Sequence, residues 1–147
     1  MVACVEVQPF DSLPHDISIL LEAERAEGHR LVQRLVEEWN DGSNRFDQPG
    51  EVALHARSNG RLVAVGGLNR DPYLDDPSVG RLRHVYVSPE VRGEGVGRLL
   101  IESLVGHARE GFDRVRLRTV TTGGSAFYVA LGFEEIDEPA GTHQISF

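Results

Sequence analysis

At 147 residues, 40% apolar and 26% charged, the chain has the balance of an ordinary globular domain, long enough to bury a core without staples. Its single cysteine, Cys4, excludes an internal disulfide framework and any multi-cysteine metal site, and a net charge of −8 argues against a basic face for nucleic acid or acidic lipid. No apolar run approaches the ~18 residues of a membrane span and no basic-then-apolar leader opens the chain, so one cytoplasmic domain over 1–147 is expected.

Val2 to Val7 reads as a first strand ended by Pro9, and Asp11, Ser12 and Asp16 are candidate N-caps for a helix over Ile17 to Glu27. After Gly28, a second helical pattern sets Leu31, Leu35 and Trp39 at i, i+4 and i+8 beside Val32 and Val36, and Asn40 to Asn44 closes it. Asn59-Gly60 between the β-rich runs Glu51 to Ser58 and Arg61 to Leu68 predicts a hairpin, because a type I′ turn needs two residues at positive φ. A polar loop with two prolines, Arg70 to Pro77, leads into a strand over Gly80 to Val87. The next helix carries Val96, Leu99, Leu100, Ile101, Leu104, Val105 and Ala108 on a wide apolar stripe, as suits a helix lying on a sheet, and Gly111 ends it. Arg114 to Val120 reads as a strand, Ser125 to Leu131 as a short helix stopped by Gly132, and Phe133 to Ile136 and Thr142 to Phe147 as the last two strands. Mixed strands and helices in this order make an α/β domain.

The stretch with most chemical content lies between the Gly80 strand and the helix after it. Pro89 ends the strand, and Arg92-Gly93-Glu94-Gly95-Val96-Gly97-Arg98 then brings three glycines at alternating positions to the head of a helix. The first N–H groups of a helix lack partners and sit at the positive end of its dipole, while glycines let an anion approach the backbone closely. Arg92 adds a cation at the mouth. The run lacks the Gly-Lys-Ser/Thr of a nucleotide P-loop, and its glycines are spaced too tightly for a dinucleotide fingerprint.

Val-x-Val-Ser-Pro followed by Arg92-x-x-Gly95-x-Gly97 resembles the acetyl-CoA pyrophosphate loop of the GCN5-related N-acetyltransferase (GNAT) superfamily. Ser125-Ala126-Phe127-Tyr128-Val129-Ala130-Leu131-Gly132-Phe133 is similar to that family's second motif, and the element order matches along nearly the whole chain. The resemblance implies a mixed, mostly antiparallel central sheet of six or seven strands flanked by about four helices. It also implies transfer of an acetyl group from acetyl-CoA, as co-substrate, to an amine of a small molecule or a free amine terminus. The backbone of Val85, Tyr86 and Val87 would then pair with the pantetheine arm, the turn from Arg92 through Gly93, Glu94, Gly95, Val96 and Gly97 to Arg98 would hold the pyrophosphate, and Tyr128 would meet the departing thiolate. An unshifted phenol near 10 is a weaker acid than a thiol near 8.5, which makes Tyr128 a hydrogen-bond donor to developing charge rather than a full proton source. Where relatives often carry an Asn touching the cofactor, this chain has Thr121, whose hydroxyl retains one donor.

The family's base positions are occupied by Arg81, Arg83 and Arg116, and an Arg does not act as base at neutral pH. The candidates to replace it are His84, then Asp71, Asp75 and Asp76 of the loop and Glu22 or Glu24 of the first helix, with deprotonation through water, or an amine already neutral, left open beside them. By the period of two, Arg81 and Arg83 share one strand face, as do Arg114, Arg116 and Arg118. Buried guanidinium groups need carboxylates, with Glu22, Glu24 and Glu27 as candidates, or an anionic group on the acceptor. Acceptor contacts are therefore expected from Arg81, Arg83, Arg116, Tyr73 and Trp39, the last being either core or pocket wall. No histidine shows metal spacing, and no metal is expected. Edge strands leave pairing into a homodimer open. A non-catalytic acyl-CoA-binding module with the same fold is the competing reading.

Overall fold

The structure is a computed structural model that describes residues 4–147; the first residues of the expected Val2 strand lie outside it. Its strands are β1 (Val5–Pro9), β2 (Val52–Ser58), β3 (Arg61–Arg70), β4 (Val79–Val87), β5 (Arg114–Leu117), β6 (Glu134–Glu138) and β7 (Gly141–Ser146), and its helices α1 (Ser18–Glu27), α2 (Leu31–Asp41), α3 (Val96–Gly111) and α4 (Thr122–Ala130). The seven strands form one sheet in the order β1-β2-β3-β4-β5-β7-β6, antiparallel throughout except where β4 meets β5. This is the mixed sheet flanked by helices that the sequence predicts.

Both faces of the sheet are covered, so β3 is buried from Leu62 through Asn69. On one face α3 packs Leu100, Ile101, Leu104 and Ala108 against Leu54, Leu68, Leu82 and Val115. On the other, Leu20 of α1 and Val32, Leu35 and Trp39 of α2 close over Leu62, Val65 and Tyr86. Asn59 (φ 51°) and Gly60 (φ 84°) form the predicted positive-φ hairpin turn. Pro9 is the last residue of β1, where the expected strand ends, and an edge strand tolerates it because one side needs no N–H.

Two departures from regularity place the functional groups. β4 and β5 pair in parallel only through Val79–Arg114, Gly80–Val115 and Arg81–Arg116. Beyond Arg81 they separate, and β4 from Leu82 to Val87 keeps a partner on its β3 side alone. The second is a bulge in β4. Arg83 pairs with Gly67 and Tyr86 with Val65, so His84 and Val85 together oppose Gly66, and His84 takes φ 58° to fit. Val85 meets the space beside Gly66 on the α3 face, while His84 stays on the α2 face with Arg83.

Several elements begin or end away from their expected bounds. β5 stops at Leu117, leaving Arg118 exposed, and α4 begins at Thr122, whose predecessor Thr121 caps it through Oγ1. None of Asp11, Ser12 and Asp16 caps α1: Asp16 forms a bidentate pair with Arg57 at 2.8 Å. Glu24, a candidate base and arginine partner in the sequence, is paired with no arginine among the described residues and is engaged at a helix head. Its fully buried carboxylate reaches from α1 to the head of α2, accepting from the amides of Val32 (2.9 Å) and Gln33 (2.8 Å). It thereby satisfies two donors a helix N-terminus leaves open. Glu24→Ala is expected to destabilise by about 2 kcal/mol and to lower the melting temperature by about 4–8 °C, with Glu24→Gln losing less; thermal denaturation checks both.

Candidate functional site

Ser88 leaves β4, a 3₁₀ turn covers Pro89–Val91, and Gly93 (φ 82°) and Gly95 (φ 86°) turn the chain into α3. No side chain caps α3. Among the described residues, the amides of Gly93, Gly95, Val96, Gly97 and Arg98 have no hydrogen-bond acceptor. Five open N–H groups at the positive end of a helix of 16 residues make an anion cradle. Arg92 is less available than its sequence position suggests. Its guanidinium forms a bidentate pair with Glu27 at the end of α1 (2.5 and 2.7 Å) and also donates to the Val87 carbonyl. The Tyr86 hydroxyl donates to the same Glu27 carboxylate, and Arg92 with Tyr86 holds that carboxylate down to about 2.

From the cradle, the open edge of β4 runs back toward the point where β4 and β5 part, and α4 stands across from it. Gly97 brings the two sites together: a Cβ there would lie 3.3 Å from the Phe127 ring of α4 and 3.5 Å from Val87. The next residue, Tyr128, packs edge-on between Phe127 and Phe133 within the α3-side core. Among the described residues nothing hydrogen-bonds its hydroxyl, and burial pushes its pKa up to about 12. The group is thus a neutral donor across the physiological range. Thr121 accepts from the Gly124 amide as N-cap and keeps its own hydroxyl proton to donate. Ser125 ties α4 to β7 through His143 Nε2 (2.9 Å), whose Nδ1 meets Thr142.

The opposite face carries the arginines. Arg81, Arg83 and Arg116 do share it, but the first-helix glutamates are not their partners. Asp71 sits between Arg116 Nε (2.9 Å) and Arg81 Nη1 (3.4 Å), and all three side chains are at least nine-tenths buried. Arg116 also donates to Glu138 and the Pro139 carbonyl, while its Nη2 is buried without a partner. Arg114 pairs with Glu138 and Gln144. Asp71 is thereby committed to structure and is not a free base. Tyr73 is exposed and lies flat under Arg81, 4.6 Å from ring centroid to guanidinium. Trp39 is core: it is buried against Phe10, with ring centroids 5.3 Å apart.

Arg83 and His84 both turn toward Glu38 of α2. The Glu38–Arg83 contact is long, 3.5 Å, whereas Glu38 Oε1 and His84 Nε2 are 3.0 Å apart. The His84 ring is nearly buried, edge-on to Phe46, and burial lowers its pKa, with the Glu38 hydrogen bond opposing in part. Glu38 and Arg83 line a polar cleft of about 390 Å³ between the end of α2, the 42–51 loop and Pro72. Asn44 Nδ2 and Asn69 Oδ1, also in its wall, are buried with no partner. Glu38, Asn44 and Asn69 are cleft residues that no motif or spacing singles out. A carboxylate in a helical Glu-Glu pair carries no mark of what it faces until the strand beneath it bulges.

Open amides at a helix head, a strand edge freed by splaying and a tyrosine helix across the gap define the acyltransferase class of α/β fold. Residues 17–133 match the family model described as Acetyltransferase (GNAT) family, and the chain belongs to that family. It is 32% identical over 88 residues to N-alpha-acetyltransferase RimI of Mycobacterium tuberculosis, covering 60% of this chain and 55% of that protein. It is 28% identical to thialysine N-epsilon-acetyltransferase of Mus musculus, covering 92% of this chain and 77% of that one. A solved acetyltransferase-fold structure from Exiguobacterium sp. 255-15 superposes with a TM-score of 0.87 at 28% identity, covering 97% of this chain and 93% of the other.

The buried ion cluster makes a testable claim about what holds the site together. Asp71→Asn leaves two guanidinium groups without their shared anion and is expected to destabilise by about 3 kcal/mol in urea denaturation. Glu138→Gln, at the half-exposed end of the same cluster, is expected to cost under about 1 kcal/mol.

Proposed function

We propose that the protein transfers the acetyl group of acetyl-CoA to a primary amine by direct attack within a ternary complex. The observation that carries this reading is the run of open amides from Gly93 to Arg98 beside a strand edge that leads to Tyr128. A diphosphate fits that cradle, because Gly93 and Gly95 have no neighbour within 4 Å of a notional Cβ and their backbone is open to close approach. The amides of α3 would hold the diphosphate, and the unpaired edge at Val85–Val87 would hold the pantetheine arm as an added strand. An N–H of that edge would polarise the thioester carbonyl. Tyr128, neutral and unpaired, would donate to sulfur as negative charge builds there.

On the other face, His84 would take the proton from the incoming amine. Burial favours its neutral form, which is the form a base must have. The cleft bounded by Glu38, Asn44, Asn69 and Arg83 would take the acceptor, and its unpaired polar atoms would find partners there. Arg83 is the arginine of this face least committed to a carboxylate, and Arg116 keeps a buried donor without an acceptor. Both support an acceptor that carries an anionic group beside its amine.

Thiol release from acetyl-CoA, measured with a panel of amino acids, acidic amines, polyamines and peptide N-termini beside a binding titration, tests the reading. Acceptor-stimulated release supports it; saturable binding with no release on any amine identifies a binding module instead, and no binding removes the cofactor assignment. Gly95→Val, which places a β-branched residue at φ 86°, is expected to weaken acetyl-CoA binding at least about tenfold. Tyr128→Phe is expected to lower kcat by about ten- to a hundredfold with little change in binding. Arg83→Ala is expected to lose activity on acidic amines while sparing polyamines.

A further inference from the structure

Reading His84 as the base leaves its ring nitrogens to be assigned. Glu38 Oε1 lies 3.0 Å from Nε2, and an ionised carboxylate can only accept, so Nε2 carries the hydrogen. Nδ1 is then the lone pair, and among the described residues it has no hydrogen-bond partner. The bulge at His84 makes this pairing available: with regular alternation the side chain would lie on the α3 face, away from α2. We propose that Glu38 is the positioning residue for His84, holding the imidazole as the Nε2–H tautomer so that Nδ1 receives the proton of the acceptor amine.

The step balances without another reactant. An ammonium N–H proton passes to Nδ1, and Glu38 holds the imidazolium so formed. The amine lone pair then bonds to the thioester carbonyl carbon, the C–S bond breaks, and the second amine proton leaves with the thiolate as a thiol. His84 returns its proton to water. The other charged groups facing the ring are Arg83 on β4 and Arg34 one turn earlier on α2, and both disfavour imidazolium; Phe46, from the loop after α2, contributes only a ring edge. Glu38 is thus the group that steadies the protonated ring against two cations.

The test uses the full chain, acetyl-CoA and whichever amine gives release, with pH profiles of kcat and KM for Glu38→Gln, Glu38→Asp, His84→Ala and the His84→Ala/Glu38→Gln double variant. A Gln amide can donate to Nε2 and admit the other tautomer. Glu38→Gln is therefore expected to lower kcat by about ten- to a hundredfold, with KM for the amine within about threefold. Because the carboxylate favours imidazolium, its loss lowers the His84 pKa, and the acid limb of the kcat profile moves to lower pH by about half a unit to one unit. Glu38→Asp should regain part of the rate. In the His84→Ala background, adding Glu38→Gln should change kcat by less than about twofold, since the glutamate acts through the ring. Nitrogen NMR of imidazole-labelled protein should show Nε2–H in the wild type and loss of that preference in Glu38→Gln, a readout independent of turnover. An equal loss of kcat from Glu38→Gln with and without His84, or a change confined to KM, overturns the positioning role and leaves His84 as base intact. Full activity with an unchanged pH profile in His84→Ala overturns the base reading itself.

Discussion

Two arginines face each other across the last paired rung of β4 and β5, and the strands part immediately beyond them. Like charges directly opposed in neighbouring strands repel, and here both sit in a sheet covered on each side, where an unpaired cation is costly. Asp71, delivered by the loop after β3, neutralises the rung, and its backbone amide is itself held by the Val79 carbonyl at the start of β4. The rung is thus an ion cluster rather than an apolar contact, and it marks the apex of the gap. Below it the sheet is continuous; above it the edge of β4 is free. Gly141 belongs to the same arrangement: a Cβ there would collide with the Arg116 guanidinium, so the start of β7 is bare where that side chain passes.

The gap divides the chemistry between two faces. Val85 and Val87 look to α3, with Tyr128 and the amide cradle on that side. Arg83, His84 and Glu38 look to α2 and the polar cleft. Under the proposed transfer, a thioester lying in the gap would expose its carbonyl carbon to an amine from one face and its sulfur to the tyrosine from the other. The two faces are also linked. Glu27, at the end of α1, takes both Tyr86 of β4 and Arg92 of the cradle, so α1 is tied by a bidentate ion pair to the loop that would carry the diphosphate.

The positive-φ turn at Asn59-Gly60, the glycine cradle and the position of Tyr128 were legible because each depends on short-range chemistry: a backbone angle, an uncapped helix head, a spacing along one helix. The clustering of Arg81, Arg83 and Arg116 was legible too, since the period of two held between Arg81 and Arg83. What failed was everything that depends on which element covers that face. The arginines pair with Asp71, Glu138 and Glu38, not with α1, because α1 spends Glu24 on capping α2 and Glu27 on Arg92. Trp39 takes the core reading of the two that were open, and its neighbour Glu38 is the α2 residue that meets the cleft. His84 is a candidate base by residue type alone, but its face was not legible: strict alternation sets it opposite Arg83, and only the extra residue in β4, invisible as a pattern, returns it to Arg83's side.

Burial acts on the two proposed proton-handling groups in opposite directions on the pKa scale but to the same chemical end. It lowers the imidazole of His84 and raises the phenol of Tyr128, and both shifts favour the uncharged form. An uncharged imidazole can accept a proton from an ammonium, and an uncharged phenol can donate a hydrogen bond to a thiolate; the charged form of either could not. With the phenol at about 12 and a free thiol near 8.5, full transfer from Tyr128 would run uphill by roughly 5 kcal/mol, so the proposed contribution is a hydrogen bond to sulfur rather than a delivered proton. In the proposed transfer an ammonium acceptor sheds two protons on its way to the amide, one before attack and one after, and the second is available to the departing thiolate. On that proposal the demand falls on the α2 face, where the first proton would leave, and the protonation state of His84 would set turnover.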